Sequence, residues 1–207
     1  KMRSILTMLG IIIGVAAVIA LVSIGNGVKQ DIQNSISSLG SNLLMVMPGA
    51  PRTPGVRPSA GSMKSLKVSD YEAISKLDGV KAASPMTNGS YVVIYQNKNW
   101  TTSVSGVSYN YLDVNNWSMK SGRFLSEKNV QNRERVAVVG KTVVKNLFGD
   151  EDPVGAEIRV KNIPFRIIGV LNSKGSGAMG NDQDDMVIIP YTTAMERVEG
   201  VDYLRMI

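Results

Sequence analysis

The sequence predicts an α+β domain suspended from a single N-terminal transmembrane helix. Three observations predict it. An uncharged run extends from Ser4 through Val28. Strand–helix–strand patterns open and close the chain that follows. Between them lie short runs of β-type residues separated by Gly, Pro and Asn.

The uncharged run reads SILTMLGIIIGVAAVIALVSIG from Ser4 to Gly25. At about 1.5 Å rise per residue, some twenty apolar residues cross a hydrocarbon core of roughly 30 Å. A cleaved signal peptide has an apolar core of only about 7–15 residues, so this run is too long for one. Lys1 and Arg3 precede it without an accompanying acid. Positive charge is retained on the cytoplasmic side, so the residues beyond about 25 are expected outside the membrane. Gly10 and Gly14 form a GxxxG, a spacing that lets two helix backbones approach closely. We therefore assign 1–25 to a transmembrane helix in the cytoplasmic membrane, in contact with lipid.

Residues 26–41 continue it as an amphipathic stalk. Val28, Ile32, Ile36 and Leu39 share one face, while Lys29, Gln30, Asp31, Gln33 and Asn34 cover the other. Gly40 is the expected stop. Asn42–Pro48 reads as a buried strand, and the Pro-, Gly- and Ser-rich stretch 49–65 as a loop. A helix is expected over Ser69–Asp78, capped by Ser69 with Glu72 and burying Tyr71, Ile74 and Leu77. A strand over Val80–Met86 completes the first strand–helix–strand unit. Ser90–Gln96 and Trp100–Val107 form a hairpin around Asn97-Lys98-Asn99.

Further along, Asp113–Arg123 is polar, with a Gly122-Arg123-Phe124 turn. Glu127–Arg135 is charged and reads as a surface helix or loop. Arg135–Val139 is a strand and Lys141–Phe148 a helix ending at Gly149. Ala156–Val160 and Phe165–Leu171 are strands joined by Lys161–Pro164. Ser173–Asp185 is a second flexible loop. Met186–Pro190, Thr192–Val198 and Val201–Ile207 then repeat the strand–helix–strand order. Such crossovers are right-handed and place parallel strands in one sheet. The expected domain is two-layered and built from two such units, 42–107 and 183–207, with 108–182 inserted as a smaller, mainly β lobe.

Chemistry is scarce. The 207 residues include no histidine and no cysteine. This excludes Ser-His-Asp and Cys-His sites, zinc sites built on those ligands, and disulfides. No catalytic, cofactor-binding or metal-ligating residue is assigned, and the chain is read as not an enzyme. Val138-Val139-Gly140-Lys141-Thr142 is half a phosphate loop, but Arg135 stands where the first glycine belongs. Asp182, Asp184, Asp185, Glu196 and Glu199 lack the ligand alternation of a calcium loop and read as solvated acids. Tyr109, Tyr111 and Trp117 offer either an aromatic binding surface or packing for the inserted lobe. The net charge of +6 is spread along the chain, which argues against nucleic acid.

The segment MRSILTMLGIIIGVAAVIALVSIGNGVKQDI, with SLGSNLLMVMPG after it, resembles the start of MacB-type ABC transporter permeases. Gly122-Arg123-Phe124, Arg135–Gly155 (RVAVVGKTVVKNLFGDEDPVG), Phe165–Leu171 and Gln183–Pro190 match the family pattern in the same order. The resemblance covers nearly the whole chain. It implies a porter-like lobe of βαβ units with an inserted second lobe, and further membrane helices in a longer protein. It implies a second permease copy as homodimer partner and an ABC ATPase domain or subunit using ATP and Mg. It also implies a membrane fusion (adaptor) protein and, in Gram-negative cells, an outer-membrane channel. The implied role is coupling ATP-driven helix movement to efflux of antibiotics, peptides or similar cargo. A lipoprotein-releasing permease and an FtsX-like regulator of a cell-wall hydrolase are the alternatives.

Overall fold

A computed structural model of the chain describes residues 2–38, 43–49, 64–177 and 181–207. It divides into two units, Lys1–Ser41 and Asn42–Ile207.

The first unit is one helix, α1, Met2–Ser38. It runs through the expected boundary at residue 25 without a break. From Met8 to Lys29 it is long and apolar enough to cross a membrane. Its large side chains lie exposed, Leu21 at 70% and Ile11 at 67% among them. Each such side chain left in water forgoes about 1.5–3 kcal/mol of burial, so an apolar surrounding is required. Leu39 and Gly40 lie outside the described residues.

The second unit mixes helices and strands around one seven-stranded sheet. In chain order come α2 (Val68–Ile74), β1 (Met86–Tyr95), β2 (Lys98–Val107), α3 (Tyr111–Val114) and β3 (Met119–Gly122). Then follow α4 (Glu127–Gln131), β4 (Val136–Val139), α5 (Lys141–Leu147), β5 (Glu157–Val160), β6 (Ile163–Leu171) and β7 (Met186–Pro190). α6 (Tyr191–Thr193) widens into a π-helical turn over Ala194–Glu199. The strand order is β3-β6-β4-β7-β2-β1-β5, and β5 also pairs with β6. Six strands therefore close into a ring, with β3 added against β6. The closing contact pairs Val93 with Val160 and Ile94 with Arg159. Strands β3–β6, from 108–182, share this sheet with β1, β2 and β7.

Both faces of the sheet are covered, so its central strands read as continuous apolar runs. Ala137, Val139, Val187 and Ile189 join Val93, Ile158 and Phe165 in one core, sealed by Val143 and Leu147 of α5. The alternate residues Val136, Val138, Met186 and Ile188 face a second core with Tyr111 and Leu125. The β4–β6 register shifts between Ala137 and Val138, a bulge that swaps the facing of β6 residues midway.

Turn chemistry explains the hairpins. Lys161 (φ 53°) and Asn162 (φ 66°) are both left-handed, as a type I′ turn requires, so β6 starts at Ile163, before the expected Phe165. The first hairpin turns on Gln96-Asn97, with Gln96 at φ 51°, one residue ahead of the expected turn, because Lys98 already pairs with Tyr95.

Other expectations need correction. α2 begins at Val68, not after a Ser69 cap: the Lys67 N–H donates to the Asp70 carboxylate (2.7 Å), the task expected of Glu72. Tyr71 and Ile74 are half-buried, while Leu77 is 59% exposed beyond the end of the helix. No strand forms over 43–48, 80–85 or 201–207, so neither strand–helix–strand unit is complete. Residues 201–207 bend at Asp202, Tyr203 and Arg205, and the segments meet through single residue pairs, Val46 with Ile207 and Met86 with Met206. One pair per neighbour is too little ladder to make a strand.

Candidate interaction surface

The half phosphate loop is spent on internal bonds. At the start of α5 the Gly140 N–H donates to Met186 O (2.9 Å) and the Thr142 N–H to Asp184 O (3.2 Å). A Cβ on Gly140 would stand 2.2 Å from the Asp184 carbonyl oxygen. The glycine therefore serves close packing of α5 against the strand leading into β7, and its N–H groups are turned inward.

The acids following it tie the loop 173–185 down at its base. Asp184, 4% exposed, accepts from the Ser173 hydroxyl, from Lys174 N–H (2.8 Å) and from Gly175 N–H (3.2 Å). Asp182 accepts from Thr142 Oγ1 (2.6 Å) and from Asp184 N–H (2.8 Å). Asp185 accepts from Trp100 Nε1 (2.8 Å). Ser176 bridges to Asp182, so the described parts of the expected flexible loop are held to each other, and residues 178–180 lie outside the described residues. Glu196 pairs with Arg133 (3.0 Å), and the buried Glu199 carboxylate stands 3.6 Å from Arg205. These acids serve structure, each aimed at a protein donor or cation.

The three aromatics part company. Tyr111 is buried, and desolvation pushes its phenol up to about 12. Tyr109 is 38% exposed. Trp117 is half-buried, donates from Nε1 to Asn172 O (2.9 Å) and carries the Lys174 ammonium 4.6 Å from its ring centre. Lys174 Nζ also donates to Asn115 O (2.7 Å), and burial lowers its pKa. Packing of the second core, rather than one aromatic surface, accounts for Tyr111 and Trp117.

An apolar surface does occur elsewhere. Leu44 is 86% exposed, Met45 62% and Met47 59%. Leu43, Leu44 and Met45 line one groove together with Ser84, Met86 and Met206. Sequence reasoning placed a buried strand here and missed the groove. The signal was present in LLMVM, a run too apolar to be left in solvent.

Of the residues singled out on the helix, Gly10 and Gly14 lie within α1 with nothing within 4 Å of an added Cβ. Val28 is 53% exposed. Ile32 and Ile36 lie within the α1 span, and Leu39 outside the described residues.

A helix long and apolar enough to cross a membrane, followed by an α+β domain around one seven-stranded sheet, defines the class of module to which this chain belongs. The model of the MacB-like periplasmic core domain matches residues 4–206, and the chain belongs to that family of ABC transporter permeases. It is 46% identical over 204 residues to the macrolide export ATP-binding/permease protein MacB of Rhodospirillum rubrum, covering 98% of this chain and 31% of that protein. The MacB of Bdellovibrio bacteriovorus is 42% identical over 205 residues, covering 99% of this chain and 31% of that one. The chain thus spans about a third of the length of these relatives.

Among solved structures, the periplasmic region of MacB from Actinobacillus actinomycetemcomitans superposes with a TM-score of 0.70 at 28% identity. That match covers 83% of this chain and 75% of that one. The extracellular domain of the noncanonic ABC-type transporter YknZ from Gram-positive bacteria shares the fold, with a TM-score of 0.63, 18% identity, and coverage of 78% and 79%. An apolar N-terminal helix leading to such a domain fits an inner-membrane location.

Proposed function

We propose that this chain is the first membrane helix and part of the extracytoplasmic domain of a MacB-type exporter permease. Its likeness, over almost its whole length, to proteins named macrolide export ATP-binding/permease proteins carries the reading. In the full protein, ATP bound with Mg in an ABC ATPase domain or subunit draws two permease copies together, and the outer domain couples that movement to cargo efflux. A membrane fusion protein receives the cargo, with an outer-membrane channel beyond it in a Gram-negative envelope. The uninterrupted α1 supports this role, since a continuous helix transmits displacement along its axis. The close-packed core supports it too, because packed interiors deform little and pass strain on.

Pull-down of the full-length protein in mild detergent, read by mass spectrometry, tests the reading. Recovery of an ABC ATPase together with a membrane fusion protein is expected. Recovery of a cell-wall hydrolase in place of the fusion protein would replace efflux with regulation of the wall. Gly10 and Gly14 are proposed as the helix-packing positions of the dimer. Replacing both with Leu is expected to reduce crosslinked dimer, and undiminished dimer refutes that role.

A further inference from the structure

The helix that follows β7 is fixed at its start and wide at its end. Pro190 precedes it, Thr192 Oγ1 donates to Val130 O (2.6 Å) and Thr193 Oγ1 to Glu134 O (3.0 Å). Ala194 packs so closely on β2 that a Cβ added to Gly106 would stand 2.4 Å from the Ala194 Cβ. These contacts anchor the first turn. The last turn is different. In an α-helix Met195 O accepts from the N–H four residues on, that of Glu199. Here it accepts from Gly200 N–H, five residues on, and from Val201 N–H, six residues on (3.0 Å). Gly200, left-handed at φ 67°, then lets the chain leave the helix.

The wide turn carries a cost and a clamp. It sets the Glu199 side chain, only 4% exposed, against the domain. One carboxylate oxygen of Glu199 is buried and receives no hydrogen bond, for the Arg205 guanidinium stands 3.6 Å from it, outside hydrogen-bond reach. A buried acceptor without a donor is destabilising, and more so when it is charged. The clamp comes from the β5–β6 turn. Lys161 Nζ donates to Val198 O (2.9 Å), and its ammonium also lies 5.7 Å from the Tyr91 ring centre. Glu196 and Arg133 pair at 3.0 Å but are both about half exposed, so their pair adds little to the clamp.

We propose that Ala194–Glu199 is a two-position turn, wide in this structure and convertible to an ordinary α-helical turn. Its start is anchored, so tightening is taken up at its end. Hydrogen bonds five residues apart become bonds four apart, which releases about one residue into the segment after Gly200. Glu199 turns about the helix axis out of its pocket, and its orphan oxygen reaches water. Met195 O gives up Gly200 and Val201 and takes Glu199. The buried charge opposes the wide form and the Lys161 clamp favours it, which keeps the two forms near balance. The step is passed on, because Leu204 N–H donates to Leu66 O (2.8 Å) and Arg205 N–H to Met86 O (3.0 Å). Packed elements with two discrete arrangements turn a small local change into a defined displacement of their neighbours. This assignment does not depend on what the transporter exports.

Hydrogen exchange, read residue by residue in the full-length protein, tests this. The Gly200 and Val201 amides are bonded to Met195 O only in the wide form, so they are expected to exchange together and well before the Val187 and Ile188 amides of β7. Glu199→Met removes the buried charge and leaves Arg205, 43% exposed, to water. It is expected to slow exchange at both amides about tenfold, because the wide form no longer holds an unpaired carboxylate oxygen. Lys161→Met removes the clamp and is expected to speed both by a similar factor. A Glu199 that merely tied the segment to Arg205 would give the opposite sign, with faster exchange in Glu199→Met, and that result would overturn the proposal. If Glu199→Met does not fold, Glu199→Gln decides by the same sign, slower exchange supporting the two-position turn and faster exchange refuting it. Gly200 and Val201 amides as protected as those of β7, or responding separately to Lys161→Met, would also overturn it.

Discussion

Replacing Asp184 removes the acceptor on which the base of the loop 173–185 depends. The carboxylate is 4% exposed and takes three donors, the Ser173 hydroxyl and the N–H groups of Lys174 and Gly175. Hydrogen bonds to a charged group contribute roughly 1.5–3 kcal/mol each, and a buried donor left unpaired costs about 1–3 kcal/mol. Ser173 is exposed, so water replaces its partner at little cost. The two backbone donors remain, and Asp184→Ala is expected to cost about 2–4 kcal/mol. Asp184→Asn keeps one carbonyl oxygen but sets an NH2 against one of the two backbone N–H groups. Its cost is expected to be about half, roughly 1–2 kcal/mol.

Urea unfolding of the detergent-solubilised chain, followed by circular dichroism, measures both variants. An unchanged slope with a lowered midpoint would locate the effect in native stability. Hydrogen exchange adds a local readout at the Lys174 and Gly175 amides, which lose protection in both variants before global unfolding. If Asp184→Ala stays within about 0.5 kcal/mol of the parent protein, or Asp184→Asn is the more costly of the two, the anchoring argument fails.

The remaining predictions concern packing and ionisation. Phe165→Ala, at a fully buried site, is expected to lose about 3–5 kcal/mol in the same unfolding assay. Gly140→Ala is expected to cost about 1–3 kcal/mol, toward the upper end, because its Cβ would meet the Asp184 backbone on a site with no side chain to yield. Tyr111 is expected to ionise at about 12, seen as a phenolate absorbance step missing from Tyr111→Phe. Because its folded pKa is raised, its share of stability is whole below pH 10 and disappears as pH rises through about 12. Identical alkaline titrations of the two proteins would refute that assignment.

Local chemistry was legible where neighbours in sequence are also neighbours in space. Val136–Val139, the helix from Lys141 and its stop at Gly149 follow from apolar runs and a left-handed glycine at φ 68°. Met186–Pro190 follows equally, since a strand covered on both faces needs no alternation to be recognised. The anchoring of the acidic loop was not legible. Nothing in SKGSGAMGNDQDD says that Asp184 turns inward to collect the N–H groups of Lys174 and Gly175.

The sequence by itself determined the long apolar helix, the positions of most hairpins and helices, and the family. Each rests on composition or spacing within a few turns of chain. Tertiary structure decided which strands meet. The contact of Val93 with Val160 closes six strands into a ring across a separation of 67 residues. The pairing of Val138 with Ile188 and Val139 with Val187 puts 108–182 in one sheet with the segments around it. Tertiary structure likewise left 43–48, 80–85 and 201–207 short of strands, because a strand is defined by its partners. A β-ladder is a property of two segments, and a single stretch of sequence fixes only which faces are apolar, not which distant edge they will find.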